Sequence, residues 1–193
     1  MQIVKVPNPI LTTPSKPIDK IDKKTMEFIE EAKQVLLATV NPKGVGLAAP
    51  QVGRGIRIFL TKPTEKSAIS VFINPQIIWQ SEEKTEGVPQ RDRKFEGCLS
   101  IPNVWGMVHR AKEIKVKYQS FDFAQDKHLQ PKTYNLKPTT RVFTGFMATI
   151  IQHETDHING ILFTQRVLEQ KEKLYKITGR DEKGEEVFEP LEV

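Results

Sequence analysis

Only one cysteine, Cys98, and four histidines occur in 193 residues. A lone thiol cannot build an internal disulfide framework, and its scarcity fits a reducing compartment. No run of 18 apolar residues occurs, so no helical membrane span and no membrane partner are expected. The N-terminus has no basic region followed by an apolar core. No secretory signal or organellar import segment is therefore expected, and the expected location is the cytoplasm. The glycine-dense stretch 44–53 is not followed by Lys-Ser or Lys-Thr, which removes a phosphate-cradling nucleotide loop. No stacked-aromatic RNA signature accompanies the net charge of +5. That excess keeps a protein soluble and allows transient contact with an RNA-rich surface such as the ribosome, but no stable nucleic-acid binding is expected.

What is present is concentrated in Gln152-His153-Glu154-Thr155-Asp156-His157, which reads H-E-x-x-H. On a helix, His153 and His157 lie one turn apart, so both imidazoles can hold one divalent metal from one side. Phe146, Ile150, His153 and His157 follow helical spacing, with Met147, Ile151 and Glu154 on the adjoining stripe. Gly160 stands where such a helix stops. A catalytic site of this kind needs a third protein ligand and one open position. The extended motif with a third histidine is excluded, because Phe163 occupies that place. Glu169 and Glu172 are available downstream, but in a charged segment read as a solvated face. The remaining candidate is Cys98 in Glu96-Gly97-Cys98-Leu99-Ser100. A buried free thiol is the plainer alternative for that residue.

Along the chain, residues 1–20 contain four prolines and read as an extended lead-in. Residues 25–40 read as a helix with Phe28, Ile29, Ala32, Val35, Leu36 and Thr39 on one face. Residues 44–53 read as a tight turn whose Gly44 and Gly46 would let a substrate backbone lie alongside as an added strand, with Gln51 offering an amide donor. Strands are expected at 56–60, 69–74, 77–80 and 108–120, and a charged loop at 81–94. Residues 121–138 read as a polar hairpin or insertion, with His128 exposed and His109 at a strand end. The motif helix is expected from about Thr140, followed by a strand-like Ile161-Leu162-Phe163, a helix over 166–177, and a mobile acidic end. The expected class is α+β: antiparallel strands packed around a central metal-binding helix, with an N-terminal helix outside. One domain is expected, residues 1–168, with 169–193 as its helical or mobile tail.

Three segments occur in an order that resembles the peptide deformylase family: Gly44-Val45-Gly46-Leu47-Ala48-Ala49-Pro50-Gln51, then Glu96-Gly97-Cys98-Leu99-Ser100, then Gln152 to His157. The opening Val6-Pro7-Asn8-Pro9-Ile10-Leu11 is similar as well, so the resemblance spans residues 3 to 168. It implies the same fold. It also implies removal of the formyl group from N-formyl-methionyl nascent polypeptides, with Fe2+ held by Cys98, His153 and His157 and with Zn2+, Ni2+ or Co2+ as substitutes. The oxyanion donors it implies are Gln51 and the Leu99 N–H. Glu96 and Arg110 resemble a structural ion pair of the family. The chain departs from the family at Trp105, where many members have arginine, at Lys94, and in the added residues around 121–138.

The chemistry expected from the residues themselves is hydrolysis, with Glu154 moving the water proton to the leaving amine. Val45, Phe146, Thr149 and Ile150 would line an apolar pocket beside His153, with Gly44, Gly46, Glu96 and Gly97 also facing substrate. Phe146 and Ile150 serve equally well as plain helix core. Two other readings compete. A zinc endopeptidase would need a ligand other than Cys98, and a non-catalytic metal or RNA-binding module would have no use for Glu154.

Overall fold

The computed structural model describes residues 1–40, 42–89, 94–120 and 137–192. The expected insertion at 121–138, with His128, falls almost wholly outside the described residues. Among the described residues, two antiparallel sheets and three α-helices make up the fold. The first sheet has the order β1 (Gly46–Ala48), β2 (Ile58–Thr61), β3 (Ser70–Gln80), β6 (Glu113–Ser120), β7 (Lys137–Thr144). The second has the order β4 (Glu96–Cys98), β5 (Ile101–Gly106), β8 (Leu174–Arg180), β9 (Glu186–Pro190).

Strand alternation sends successive residues to opposite faces, and each face of the first sheet receives a helix. Leu47, Ile58, Leu60 and Ile73 pack with α1 (Lys23–Ala38) through Phe28, Ile29, Ala32 and Leu36. Ala48, Phe59 and Phe72 point the other way, to Ala148, Ile151 and Ile158 of α2 (Gly145–Ile158). A third cluster joins Cys98, Ile101 and Leu174 of the second sheet to Phe163 and Val167 of α3 (Phe163–Glu169). The central helix and the outer N-terminal helix thus stand as expected. Helix α1 begins earlier than expected because the Asp22 carboxylate caps it, accepting the Thr25 N–H at 2.8 Å.

Several expectations are corrected. The strands expected at 69–74 and 77–80 are one strand, irregular where Asn74 takes a positive φ of 48° before Pro75. The Asn74 side-chain amide bonds Ile18 O at 2.7 Å and Gln119 Oε1 at 2.8 Å, so the irregularity is tied down on both sides. Residues 140–144, expected as the start of the motif helix, are strand β7, paired along β6. Their β-branched and aromatic side chains favour that state, and Phe143 reaches Phe72 with centroids 5.7 Å apart. The strand β5 was not anticipated because it contains Pro102. That proline precedes the residues paired with β8, so its missing N–H costs no rung there. Phe163 opens a helix and does not end a strand. The helix expected over 166–177 stops at Glu169, and the residues expected to be a helical or mobile tail form the β8–β9 hairpin. The Asp181 carboxylate closes that hairpin by accepting the N–H groups of Lys183 and Glu185, each at 2.9 Å.

Gly160, two residues past the end of α2, has a φ of +74°. A Cβ there would lie 2.7 Å from the Thr12 carbonyl oxygen. At Gly145, where β7 turns into α2, φ is +57° and a Cβ would meet nothing within 4 Å. Gly145→Ala therefore carries only the left-handed penalty, about 1 kcal/mol. Gly160→Ala adds a backbone clash and costs more than about 2 kcal/mol. Urea unfolding midpoints of the two variants check the order.

Candidate metal centre

Helix α2 aims His153 and His157 the same way, with ring centroids 4.9 Å apart. Strand β4 brings Cys98 up to them from the second sheet, and its Sγ lies 3.2 Å from His157 Nε2. One ligand atom from each of Cys98, His153 and His157 falls within 4.8 Å of the others. Burial works against a charged sulfur, but the two imidazoles outweigh it and hold the Cys98 thiol well below its usual range. A low-pKa thiolate between two histidines is the donor set of a divalent transition metal, and the fourth side stays open. His157 Nδ1 and Glu154 Oε2 are buried polar atoms without a hydrogen-bond partner. Glu154 faces the same cavity as Cys98 and His153, so the donors present fit a metal with room for one small ligand.

A buried ion network holds this arrangement. Glu96, on the strand that carries Cys98, accepts the His153 Nδ1–H at 2.9 Å. That leaves Nε2 of His153 as the ligating nitrogen. Glu96 also accepts two bonds from Arg110, at 2.7 and 2.9 Å. Arg110 donates to Asp156 at 2.6 Å, and Arg166 donates to the other Asp156 oxygen at 2.8 Å. Burial raises the pKa of Glu96, but Arg110 more than offsets it and the carboxyl sits at about 2. Gln152 secures the back of the helix by bonding both the N–H and the carbonyl of Ala111, at 3.1 and 3.0 Å.

On the open side, Gln51 Oε1 accepts the Ala48 N–H at 2.8 Å, which turns its Nε2 to within 3.4 Å of Cys98 Sγ. Burial pushes Glu154 up to about 7. A cavity of about 70 Å³ lies between these groups, lined among others by Val45, Leu99, Phe146, Thr149 and Ile150. Every residue singled out for the site except His157 lines this one space, including Glu96, Gly97 and Gly44, and His157 lies against Cys98 behind it. The structure gives the glycines a different reason. A Cβ on Gly46 would lie 2.2 Å from Glu154 Oε1, and one on Gly44 would lie 3.0 Å from Leu99 Cδ1. The absent side chains leave room for the Glu154 carboxylate and the Leu99 side chain.

Neither competing carboxylate reaches the metal ligands. Glu169 bonds Arg166 at 3.0 Å, and Glu172 bonds His109 at 2.9 Å. Lys94 turns to Glu86 at 3.3 Å. Sequence reasoning missed Asp156 and Arg166 as members of the network, and missed the Glu96–His153 bond. Asp156 stands three residues after His153 on the same helix, a spacing that could have marked it.

The chain is similar to known proteins throughout. The family model described as polypeptide deformylase matches residues 1–173. The peptide deformylase of Pseudothermotoga lettingae is 32% identical over 188 residues, 95% of each chain. That of Dictyoglomus thermophilum is 37% identical over 169 residues, 88% of this chain and 94% of the relative. Among solved structures, a class I type b peptide deformylase from Acinetobacter baumannii superposes with a TM-score of 0.69 at 31% identity, covering 86% of this chain and 98% of that one. The peptide deformylase of Thermotoga maritima gives 0.68 at 31% identity, covering 86% and 95%.

Removing Arg110 would leave Glu96 and Asp156 buried and half-paired. Arg110→Met is expected to lower stability by about 3–5 kcal/mol. The Glu96 carboxyl lies at about 2 against an ordinary 4.5, so its stabilisation is complete above pH 4.5 and is lost as the pH falls toward 2. Acid unfolding of the native chain, followed by circular dichroism, should show this loss. Glu96→Gln should flatten that part of the curve.

Proposed function

The chain belongs to the polypeptide deformylase family, and from that premise we propose that it removes the formyl group from the N-terminal formyl-methionine of newly made proteins, releasing formate. The observation that carries this reading is Glu154, buried beside Cys98, His153 and His157 and held up to about 7. When bound, a divalent metal at these three residues supplies Lewis-acid polarisation and an acidified water. Glu154 then accepts the proton of the attacking water and returns it to the leaving amine, a task suited to a carboxylate titrating near neutrality. The side-chain amide of Gln51, oriented by Ala48, and the N–H of Leu99 donate to the oxyanion that develops on the formyl oxygen as its carbon becomes tetrahedral. Glu96 fixes the tautomer and orientation of His153 and takes no part in proton transfer.

Among the described residues, β1 and β4 are each the last strand of their sheet, and both line the cavity. An extended peptide entering between them pairs its backbone with β1, and its first side chain enters the space lined by Val45, Phe146, Thr149 and Ile150. An unbranched apolar side chain such as methionine suits that lining. We take the metal to be Fe2+, replaceable by Zn2+, Ni2+ or Co2+, since one thiolate and two imidazoles suit all four. The reaction belongs in the cytoplasm on this reading, where new chains emerge. Transient contact with the ribosome rests on the net charge of +5 alone.

Formate release from formyl-Met-Ala is the direct test, with the protein handled anaerobically and loaded with Fe2+ or Ni2+. Turnover should vanish on chelation and return with metal. Glu154→Ala should lower kcat by about 10³-fold while metal content stays at that of the native chain. Gln51→Leu should lower it by about 10²-fold. Absence of formate from metal-loaded native protein would overturn the reading.

A further inference from the structure

A groove of about 1160 Å³ leads away from the reaction cavity. Cys98, Leu99 and Trp105 line both spaces, so the two are continuous. The N-terminal segment and the end of α1 form one side of the groove, where Val40 is 84% exposed. The opposite side comes from the β8–β9 hairpin, through Ile177, Gly179, Arg180 and Glu186. All four lie beyond residues 1–173, the segment that the family model matches. The hairpin, which follows the segment matched by the family model, therefore builds one wall of a channel that opens onto the site.

The hairpin also sets the indole at the junction of the two spaces. Trp105 lies directly opposite Tyr175 in the β5–β8 pairing, and β9 brings Phe188 to a centroid distance of 6.3 Å from it. Phe95 stacks on Tyr175 at 4.8 Å and meets Phe188 at 5.7 Å. The indole rests on Gly97, where a Cβ would come 2.7 Å from its Cε3. Ile177 stands two residues after Tyr175 and so shares its face of β8; it pairs across to Phe188. The charges along the groove are of both signs, Lys5, Lys43 and Arg180 against Glu31 and Glu186, so they favour neither acidic nor basic peptides. The hairpin's apolar contribution to the lining is Ile177, and β5 adds Ile101, Val104 and Trp105.

We propose that the β8–β9 hairpin is a specificity element that extends the substrate cleft, with Trp105 and Ile177 receiving an apolar side chain of the peptide downstream of the formylated methionine. The proposal rests on the deformylase reading above. The occupant follows from continuity. A peptide whose first residue sits in the cavity advances about 3.3 Å per residue, and the groove shares five lining residues with that cavity, Pro42, Lys43, Cys98, Leu99 and Trp105. An apolar side chain placed on such a wall is worth about tenfold in kcat/KM.

Formate release is measured for formyl-Met-Ala and for formyl-Met-Ala-Ala-Ala, with phenylalanine walked through positions two to four. Phenylalanine at one of these positions should raise kcat/KM about tenfold over alanine. Ile177→Asp should abolish that gain, and Ile177→Leu should keep it. Expressing each result as a ratio to turnover of formyl-Met-Ala by the same variant removes any general loss of folded enzyme. No gain at any position, or a gain that survives Ile177→Asp, would overturn the proposal while leaving the deformylase reading intact. No formate from formyl-Met-Ala with the native chain would remove both.

Discussion

One buried carboxylate, Glu96, connects the two halves of the site. It sits on β4 one residue before Gly97 and two before Cys98, and it bonds both His153 of α2 and Arg110. The candidate metal ligands come from two separate pieces of structure, a helix under the first sheet and an edge strand of the second. Without a tie between them, a few tenths of an ångström of slippage would spoil the geometry at Cys98. Glu96 supplies that tie, and Arg110 neutralises it by also reaching Asp156 one turn along the helix. Buried ions are a poor source of net stability, since desolvation consumes most of their attraction. Their use here is positional: each charge has one place where its partners are satisfied.

The same economy explains the small residues around the site. Gly46 leaves room for the Glu154 carboxylate, and Gly97 leaves room for the indole of Trp105. Both glycines are defined by which neighbour must come close. Burial raises the pKa of both carboxylates of the site, but only Glu96 has an arginine against it that reverses the shift. Glu96, beside Arg110, sits at about 2, whereas Glu154, in the cavity, sits at about 7. One group is kept charged to hold position, and the other titrates where proton transfer is useful.

Much of this was legible in the sequence. The H-E-x-x-H spacing located both histidines and Glu154, because helical periodicity is a local property. Cys98 was reachable as the lone thiol next to a glycine, and Glu96 with Arg110 only through family resemblance. Less was legible where tertiary pairing decides the outcome. Residues 137–144 carry strand-forming side chains directly before a helix, and only pairing with β6 marks the boundary at Gly145. Residues 174–177 read as the end of a helix, and the acidic, glycine-containing residues after them as a mobile end. They become strands because β5 offers them an edge and Phe95, Tyr175 and Phe188 cluster across it. Pro102 hid β5 itself, since a proline inside a strand is tolerated only where no partner needs its N–H.

The central claim is that Cys98 is the third ligand of a metal held by His153 and His157. X-ray absorption spectroscopy at the metal edge, on anaerobically loaded protein, tests it most directly. The expected spectrum fits one sulfur and two imidazole nitrogens, with the sulfur contribution lost in Cys98→Ser. A shell of nitrogen and oxygen only, unchanged by that substitution, would contradict the account.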